Sequence, residues 1–412
     1  MISRILYQTD AICVEYFAGS RAKLALVFSP VLSGSLSGNP DEGARLLQHG
    51  FDVLAFKINN DDWFQSLPPT LLKALANLEA RRQYGEIVAY GTALGAYAAL
   101  AFSGIFKPSR ALLVSPQYRA DAGVDISPDC QFFIFFDNKS ADSGHLAPLL
   151  GLIPEGHAKV IKLPYAGQPC SACLLEAGLL AQLELMVLDQ ASCEGFDFAK
   201  AKGQSVAYLF NLGTALLSRN KLSSALFVTQ KALAINDGIG ALHFRKAQIL
   251  GQLGRDYEAI PSMHAALALA PDNPELHYHL SLGLLHIGLL NEALQASGRV
   301  LELVVDNHGF WGYHSNLLWR NDKPEASLKA ILTALELDPA NANYHAHKSG
   351  MLQALGQLDE AIQAASDAVA LAPENQANVA HLNSLRAKQQ QSLAPPVVTQ
   401  TVSLDSLLAP WR

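Results

Sequence analysis

Three groups of residues have the types and spacing of chemistry. The first is Gly91-Thr92-Ala93-Leu94-Gly95, between the β-branched and aromatic run 87–90 and the alanine-rich stretch 96–106. Glycines on both sides permit a tight strand-to-helix turn. Such a turn holds its central side chain at the end of a strand, with the next backbone N–H facing the same space. A serine there would be a nucleophile, but the central residue is Ala93, and a methyl group attacks nothing. The second group is Cys170-Ser171-Ala172-Cys173. A thiolate opening a helix is stabilised by the helix N-terminus. With no second pair for zinc, the two cysteines read as small helix-start residues. The third group is histidine in the C-terminal half: His277, His279 and His286, then His308 and His314, then His345 and His347. His243, His277 and His345 recur at one repeat position and read as packing residues. His277 and His279, two apart on a helix, do not share a face, and no metal site is expected.

Two architectures must position these groups. Residues 1 to about 188 alternate short apolar runs (11–17, 24–28, 53–56, 87–90, 111–114, 132–136, 160–163) with helical stretches (41–49, 70–83, 96–106, 173–188). Nearly continuous apolar strands between helices imply an α/β domain with a mostly parallel sheet covered on both faces. From about residue 206 the strands stop and a 34-residue period begins, with blocks at Val206, Gly240, Pro274, His308 and Ala342. Position eleven is leucine in every block. Positions eight, twenty and twenty-seven are small, and Pro271, Pro339 and Pro373 stand at position thirty-two. Small residues let two antiparallel helices approach, leucine fills the space between them, and proline ends the second helix. No unit buries its own face, so the units stack.

This pattern resembles tetratricopeptide repeats. It implies an all-α solenoid of five repeats plus a polar capping helix over residues 206–391, after an α/β domain at 1–190 and a linker at 191–205. Residues 392–412 form a flexible or docking tail, in which Leu407, Leu408 and Trp411 are apolar. In that family the inner face of each first helix binds an extended peptide. The corresponding positions here are Phe210 and Thr214, then Phe244, Gln248 and Gln252, then Tyr278, Leu282, Leu285 and His286, then Asn316, Trp319 and Arg320. Aromatics with polar handles suit a protein or peptide partner, and the lack of a basic cluster argues against a clamp for C-terminal carboxylates.

The α/β half resembles the α/β-hydrolase fold. Tyr90-Gly91-Thr92-Ala93-Leu94-Gly95-Ala96-Tyr97-Ala98-Ala99-Leu100 is similar to the serine elbow of bacterial hydrolase-like domains, and Val114-Ser115-Pro116-Gln117-Tyr118 fits the same group. The resemblance implies a triad in the order nucleophile, acid, base. The nucleophile position is Ala93. The acid position is Asp137 or Asp142, and the spacing to His145 favours Asp142. The base position is Gln168, which shuttles no proton near neutral pH. With two positions chemically inert, the expectation is a pseudoenzyme without cofactor. The alternatives are a hydrolase with relocated groups, using His145 or His157, and a ligand-binding sensor.

Composition agrees with a globular interaction protein. The chain has 412 residues, 50% of them hydrophobic and 16% charged, which at about 150 residues per domain implies two or three domains. Thirty Lys and Arg against 37 Asp and Glu give a net charge of −7, without the electrostatic footprint of a nucleic-acid binder. Five cysteines make no disulfide scaffold and fit a reducing, cytoplasmic setting. Residues 87–106 carry no charge over a length able to span a bilayer. They divide at the glycine turn into a strand and a helix, so membrane insertion is not expected.

Overall fold

The structure is a computed structural model describing residues 3–19, 22–30, 36, 41–59, 63–65, 67–82, 84–120, 123–188 and 196–393. The chain forms two compact units, the first through residue 238 and the second from residue 239 onward.

The first unit is built on an eight-stranded sheet. Its strands are β1 (Ser3–Gln8), β2 (Ile12–Phe17), β3 (Lys23–Pro30), β4 (Phe51–Ile58), β5 (Glu86–Thr92), β6 (Arg110–Val114), β7 (Gln131–Phe136) and β8 (Ala158–Lys162), in the order β1-β2-β4-β3-β5-β6-β7-β8. β4, β3, β5, β6, β7 and β8 run parallel, while β2 pairs antiparallel with β1 and β4. The apolar runs became strands because they are buried on both faces; all five residues of β6 are buried. β1 has no such run. It is an exposed edge strand with no apolar signature in the sequence.

The helices of this unit are α1 (Asp41–Gln48), α2 (Pro69–Arg82), α3 (Leu94–Ala101), α4 (Ser103–Phe106), α5 (Leu146–Leu150), α6 (Ser171–Glu176), α7 (Leu180–Leu188), α8 (Phe198–Ala201), α9 (Val206–Leu217) and α10 (Leu222–Ile235). The uncharged stretch 87–106 divides into β5, α3 and α4. The single helix expected at 173–188 is two, broken at Gly178, whose φ is +69°. No described helix is long and apolar enough to cross a membrane.

The second unit is helical throughout its described residues: α11 (Gly240–Gln252), α12 (Asp256–Leu269), α13 (Pro274–His286), α14 (Leu290–Leu303), α15 (His308–Arg320), α16 (Pro324–Leu337), α17 (Ala342–Ala354), α18 (Leu358–Leu371) and α19 (Gln376–Leu393). First helices begin 34 residues apart, at the block boundaries read from the sequence. The small residues sit in the helix–helix contacts: Ser281, Ser315, Ser349, Ala293, Ser327 and Ala361 are fully buried. The serines do more than stay small. Each hydroxyl donates across the helical pair to the carbonyl at position twenty, Ser281 to Ala293 at 2.7 Å, Ser315 to Ser327 at 2.9 Å and Ser349 to Ala361 at 2.7 Å. Asn273 and Asn307 cap the following first helices by accepting two backbone N–H bonds each.

Candidate functional site

Ala93 stands alone between the end of β5 and the start of α3, with φ 50° and ψ −116°. A non-glycine residue held there stores about 1–3 kcal/mol of strain. The glycines are required by contact as well as by conformation. A Cβ on Gly91 would lie 2.2 Å from the Gly95 carbonyl oxygen, and one on Gly95 would lie 2.0 Å from that of Phe28. The Ala93 N–H donates to Val114 O at 3.0 Å, fixing the turn at the carboxyl edge of the parallel sheet. The geometry presents one side chain sharply, and that side chain is a methyl group.

Asp137 follows β7 directly. Its carboxylate is 3% exposed and accepts three backbone N–H bonds: Lys139 at 2.8 Å and Tyr165 at 2.8 Å on Oδ1, Gly167 at 3.0 Å on Oδ2. It therefore holds the loop that carries Gln168, whose Nε2 donates to Ser140 Oγ at 3.2 Å. Asp142 belongs to the short 3₁₀ turn Ala141–His145, and its side chain lies outside the described residues. His145 Nδ1 accepts from the Tyr118 N–H at 3.3 Å. His157 precedes β8 and so lies at the opposite end of the strands from Ala93.

The Gln168 loop faces α9, the first helix of the first repeat. Asp137, Ser140, Tyr165 and Gln168 line an open pocket of about 440 Å³ together with Asn211, Thr214 and Ser218. Gly167 has φ +90°, and a Cβ there would come 2.6 Å from Asn211 Nδ2. Glu176 Oε2 receives the Ser205 hydroxyl at 2.7 Å and the Ala207 N–H at 2.8 Å, tying the start of α9 to α6. Thr214, expected on the peptide face, thus lines a pocket with the α/β loops, while Phe210 is half-buried.

Cys170 and Cys173 are buried, and Cys170 immediately precedes α6 without a side-chain cap bond to it. Burial pushes the Cys170 thiol up to about 12, against a hydrogen bond from Ser115 that lowers it. Burial also raises Cys173. A thiol so placed is protonated at neutral pH and is a packing residue.

On the first-helix face of the second unit, two of the expected groove aromatics are already occupied. Phe244 packs edge-on against His279 of the next repeat, ring centroids 5.0 Å apart. Tyr278 packs against Phe310 at 5.4 Å and Tyr313 at 5.1 Å. Gln248, Leu282 and His286 remain on the open face and line one pocket, of about 240 Å³. Asn316 and Trp319 line a second, of about 250 Å³. Trp319 is 41% exposed. Arg320 is exposed at the end of α15. His286 Nδ1 lies 3.7 Å from Asp256 Oδ1 at the rim of the first pocket.

His279 and His347, one in each pocket, were not singled out as site residues. Burial lowers the pKa of both, outweighing the opposing pull of Glu275 on His279. They present neutral imidazoles. The sequence signal was available at position six of the blocks, where His279, Tyr313 and His347 alternate.

The tetratricopeptide repeat family model matches residues 241–273. No curated protein matches the chain. Among solved structures the chain is similar to YrrB, described as a TPR protein with an unusual peptide-binding site, at 19% identity and TM-score 0.41, covering 46% of this chain and 95% of that one. It is also similar to MamA from Desulfovibrio magneticus RS-1, at 18% identity and TM-score 0.39, covering 42% and 97%. TTC0263, a thermophilic TPR protein in Thermus thermophilus, aligns at 16% identity and TM-score 0.32, covering 44% and 100%. The α11–α12 pair is thus matched as a tetratricopeptide repeat, and the helical pairs after it keep its 34-residue period.

Proposed function

We propose that the chain is a non-catalytic adaptor that binds a protein or peptide through the first-helix faces of its tetratricopeptide repeats, and that its α/β half is a pseudo-hydrolase domain. The observation that carries the reading is the pair of open pockets to which the first helices contribute Gln248, Leu282, Asn316 and Trp319. The pseudo-hydrolase part is supported by a strained elbow at Ala93 with no nucleophile on it, and by an amide at Gln168 where a base is needed.

The test is affinity capture from the native cytosol with the intact chain and with a Gln248→Ala, Leu282→Ala, Trp319→Ala variant. These residues line the pockets, whereas Phe244 and Tyr278 are left intact because they hold neighbouring repeats together. A partner kept by the first bait and lost by the second supports the adaptor. Identical captures from both baits refute the groove.

The polar pocket beside Gln168 favours a second reading, a sensor that binds a small ligand without turnover. A ligand taken up there raises the unfolding temperature, with the logarithm of its concentration once that exceeds Kd. An esterase screen with no turnover and no thermal shift removes that reading.

A further inference from the structure

The second unit has pockets between the second and third repeats of the chain and between the fourth and fifth, and position six explains the alternation. In the last three blocks the position-six side chain reaches toward the preceding first helix: His279 to Phe244 of α11, Tyr313 to Tyr278 of α13, His347 to the pocket formed with Asn316 and Trp319 of α15. Tyr313 fills its gap, packing edge-on against Tyr278 and placing its hydroxyl 3.0 Å from Ser281 Oγ. An imidazole is shorter than a phenol, and beside His279 and His347 the gaps stay open.

The two pockets share their chemistry. Each has a methionine in its lining, Met263 in one and Met351 in the other, an adaptable apolar contact. Glycine deepens both. A Cβ on Gly350 would meet nothing within 4 Å, and one on Gly251 would touch only Asp256 Oδ1, at 3.6 Å. No lysine or arginine lines either pocket, and Asp256 stands in the first. Each is smaller than the 300 Å³ or so at which small-molecule sites begin. Two side-chain-sized pockets on one row of helices describe a polypeptide in extended form.

We infer that the partner is an extended peptide segment that sets one large apolar side chain into each pocket and carries no acidic residue at the first, where Asp256 stands. The inference rests on the adaptor reading and specifies its ligand. The charge argument is complementarity: a carboxylate beside Asp256 is repelled, whereas a neutral or basic neighbour is not. The pockets lie two repeats apart, about 20 Å at ordinary helix spacing, which an extended chain covers in about six residues.

The experiment selects phage-displayed random dodecapeptides on the full chain and then measures the best peptide against Gly251→Leu and Gly350→Leu. Each leucine fills one pocket and replaces a helical glycine with a better helix former, so the fold is retained. His279→Tyr and His347→Tyr close the same pockets as Tyr313 closes its gap, and serve if a leucine variant misfolds. The expected selection shows two large apolar residues about six apart with no acid at the first, and each filling variant weakens binding about tenfold or more, the worth of one buried side chain. Peptides whose affinity neither variant changes overturn the inference and leave the adaptor standing. Selection of acidic residues at the first anchor overturns it as well. Enrichment of no peptide overturns the inference together with the peptide-binding groove itself.

Discussion

Trp311 and His277 make the same hydrogen bond one repeat apart. Trp311 Nε1 donates to the carbonyl of Val305 at 2.8 Å, and His277 Nε2 meets the carbonyl of Pro271 at 2.8 Å. His345 repeats the contact with Pro339 at 3.0 Å. Each bond ties the start of a first helix to the loop six residues before it. These histidines act as N–H donors standing where a tryptophan also works. The ring at position four is kept for its edge N–H as well as for its area.

The serine-to-carbonyl bonds give the first prediction. Ser315→Ala removes a buried donor that reaches across the pair to Ser327, and is expected to cost about 1 kcal/mol in urea unfolding. Ser315→Leu at this fully buried position overpacks the helix pair and is expected to cost more, about 1–3 kcal/mol. Equal stability of the alanine variant and the parent would reduce the serine to mere smallness.

The repeats and the parallel sheet were legible because their signals are local and periodic. First helices begin at Val206, Gly240, Pro274, His308 and Ala342, where the blocks were drawn. The groove was legible only as a face. Position numbers put Phe244, Tyr278 and Thr214 on it, but not what the neighbours do there: His279 and Tyr313 cover the two aromatics, and the Gln168 loop shares a pocket with Thr214. β1 escaped because an edge strand needs no continuous apolar run. Asp137 holds the Gln168 loop through three backbone N–H bonds, two of them joining residues 28 or more apart. Such long-range bonds leave no signal in sequence spacing.

Ala93 gives a prediction of opposite sign to most glycine substitutions. At φ 50° the alanine is strained, so Ala93→Gly is expected to raise stability by up to about 1 kcal/mol, read as a higher urea midpoint. Ala93→Ser adds a hydroxyl at the elbow, where the pseudoenzyme reading provides no base. Its turnover of a p-nitrophenyl ester is expected to remain at the level of the parent chain. Turnover by this single variant would mean that another group serves as base, and the pseudoenzyme reading would fall.

The first repeat is joined to the α/β loops by specific contacts, and breaking them is expected to cost stability in the first unit. Gly167→Ala meets both a positive φ and the Asn211 amide 2.6 Å away, and is expected to cost more than about 1 kcal/mol. Asn211→Ala in the same chain removes the clash but not the strain, so the double variant should recover part of the loss. Glu176→Ala frees the Ser205 hydroxyl and the Ala207 N–H at the start of α9, and about 1 kcal/mol is expected, the worth of a helix cap. No effect from either change would show that α9 does not depend on the loops it faces.

Acid sensitivity follows from three imidazoles on successive repeats. Burial lowers the pKa of His279, His314 and His347 in the folded chain, while in the unfolded chain each titrates near its ordinary value of about 6.5. The unfolded state therefore binds protons first as pH falls. Stability from these groups is fully present above about pH 6.5 and declines as pH drops below it, down to the folded values. The urea midpoint is expected to fall between pH 7.5 and pH 5, and the slope to flatten in a His279→Gln, His347→Gln variant. The groups that face these rings bear on the slope: Glu275 Oε1 lies 4.0 Å from His279 Nε2 and opposes the shift, whereas His314 Nδ1 is 3.0 Å from the uncharged Ser297 hydroxyl. His314→Asn should thus flatten the profile without introducing a competing charge effect. A midpoint that holds steady or rises across that range would mean that the imidazoles are not buried as neutral groups, and the neutral His279 and His347 given to the two pockets would have to be withdrawn.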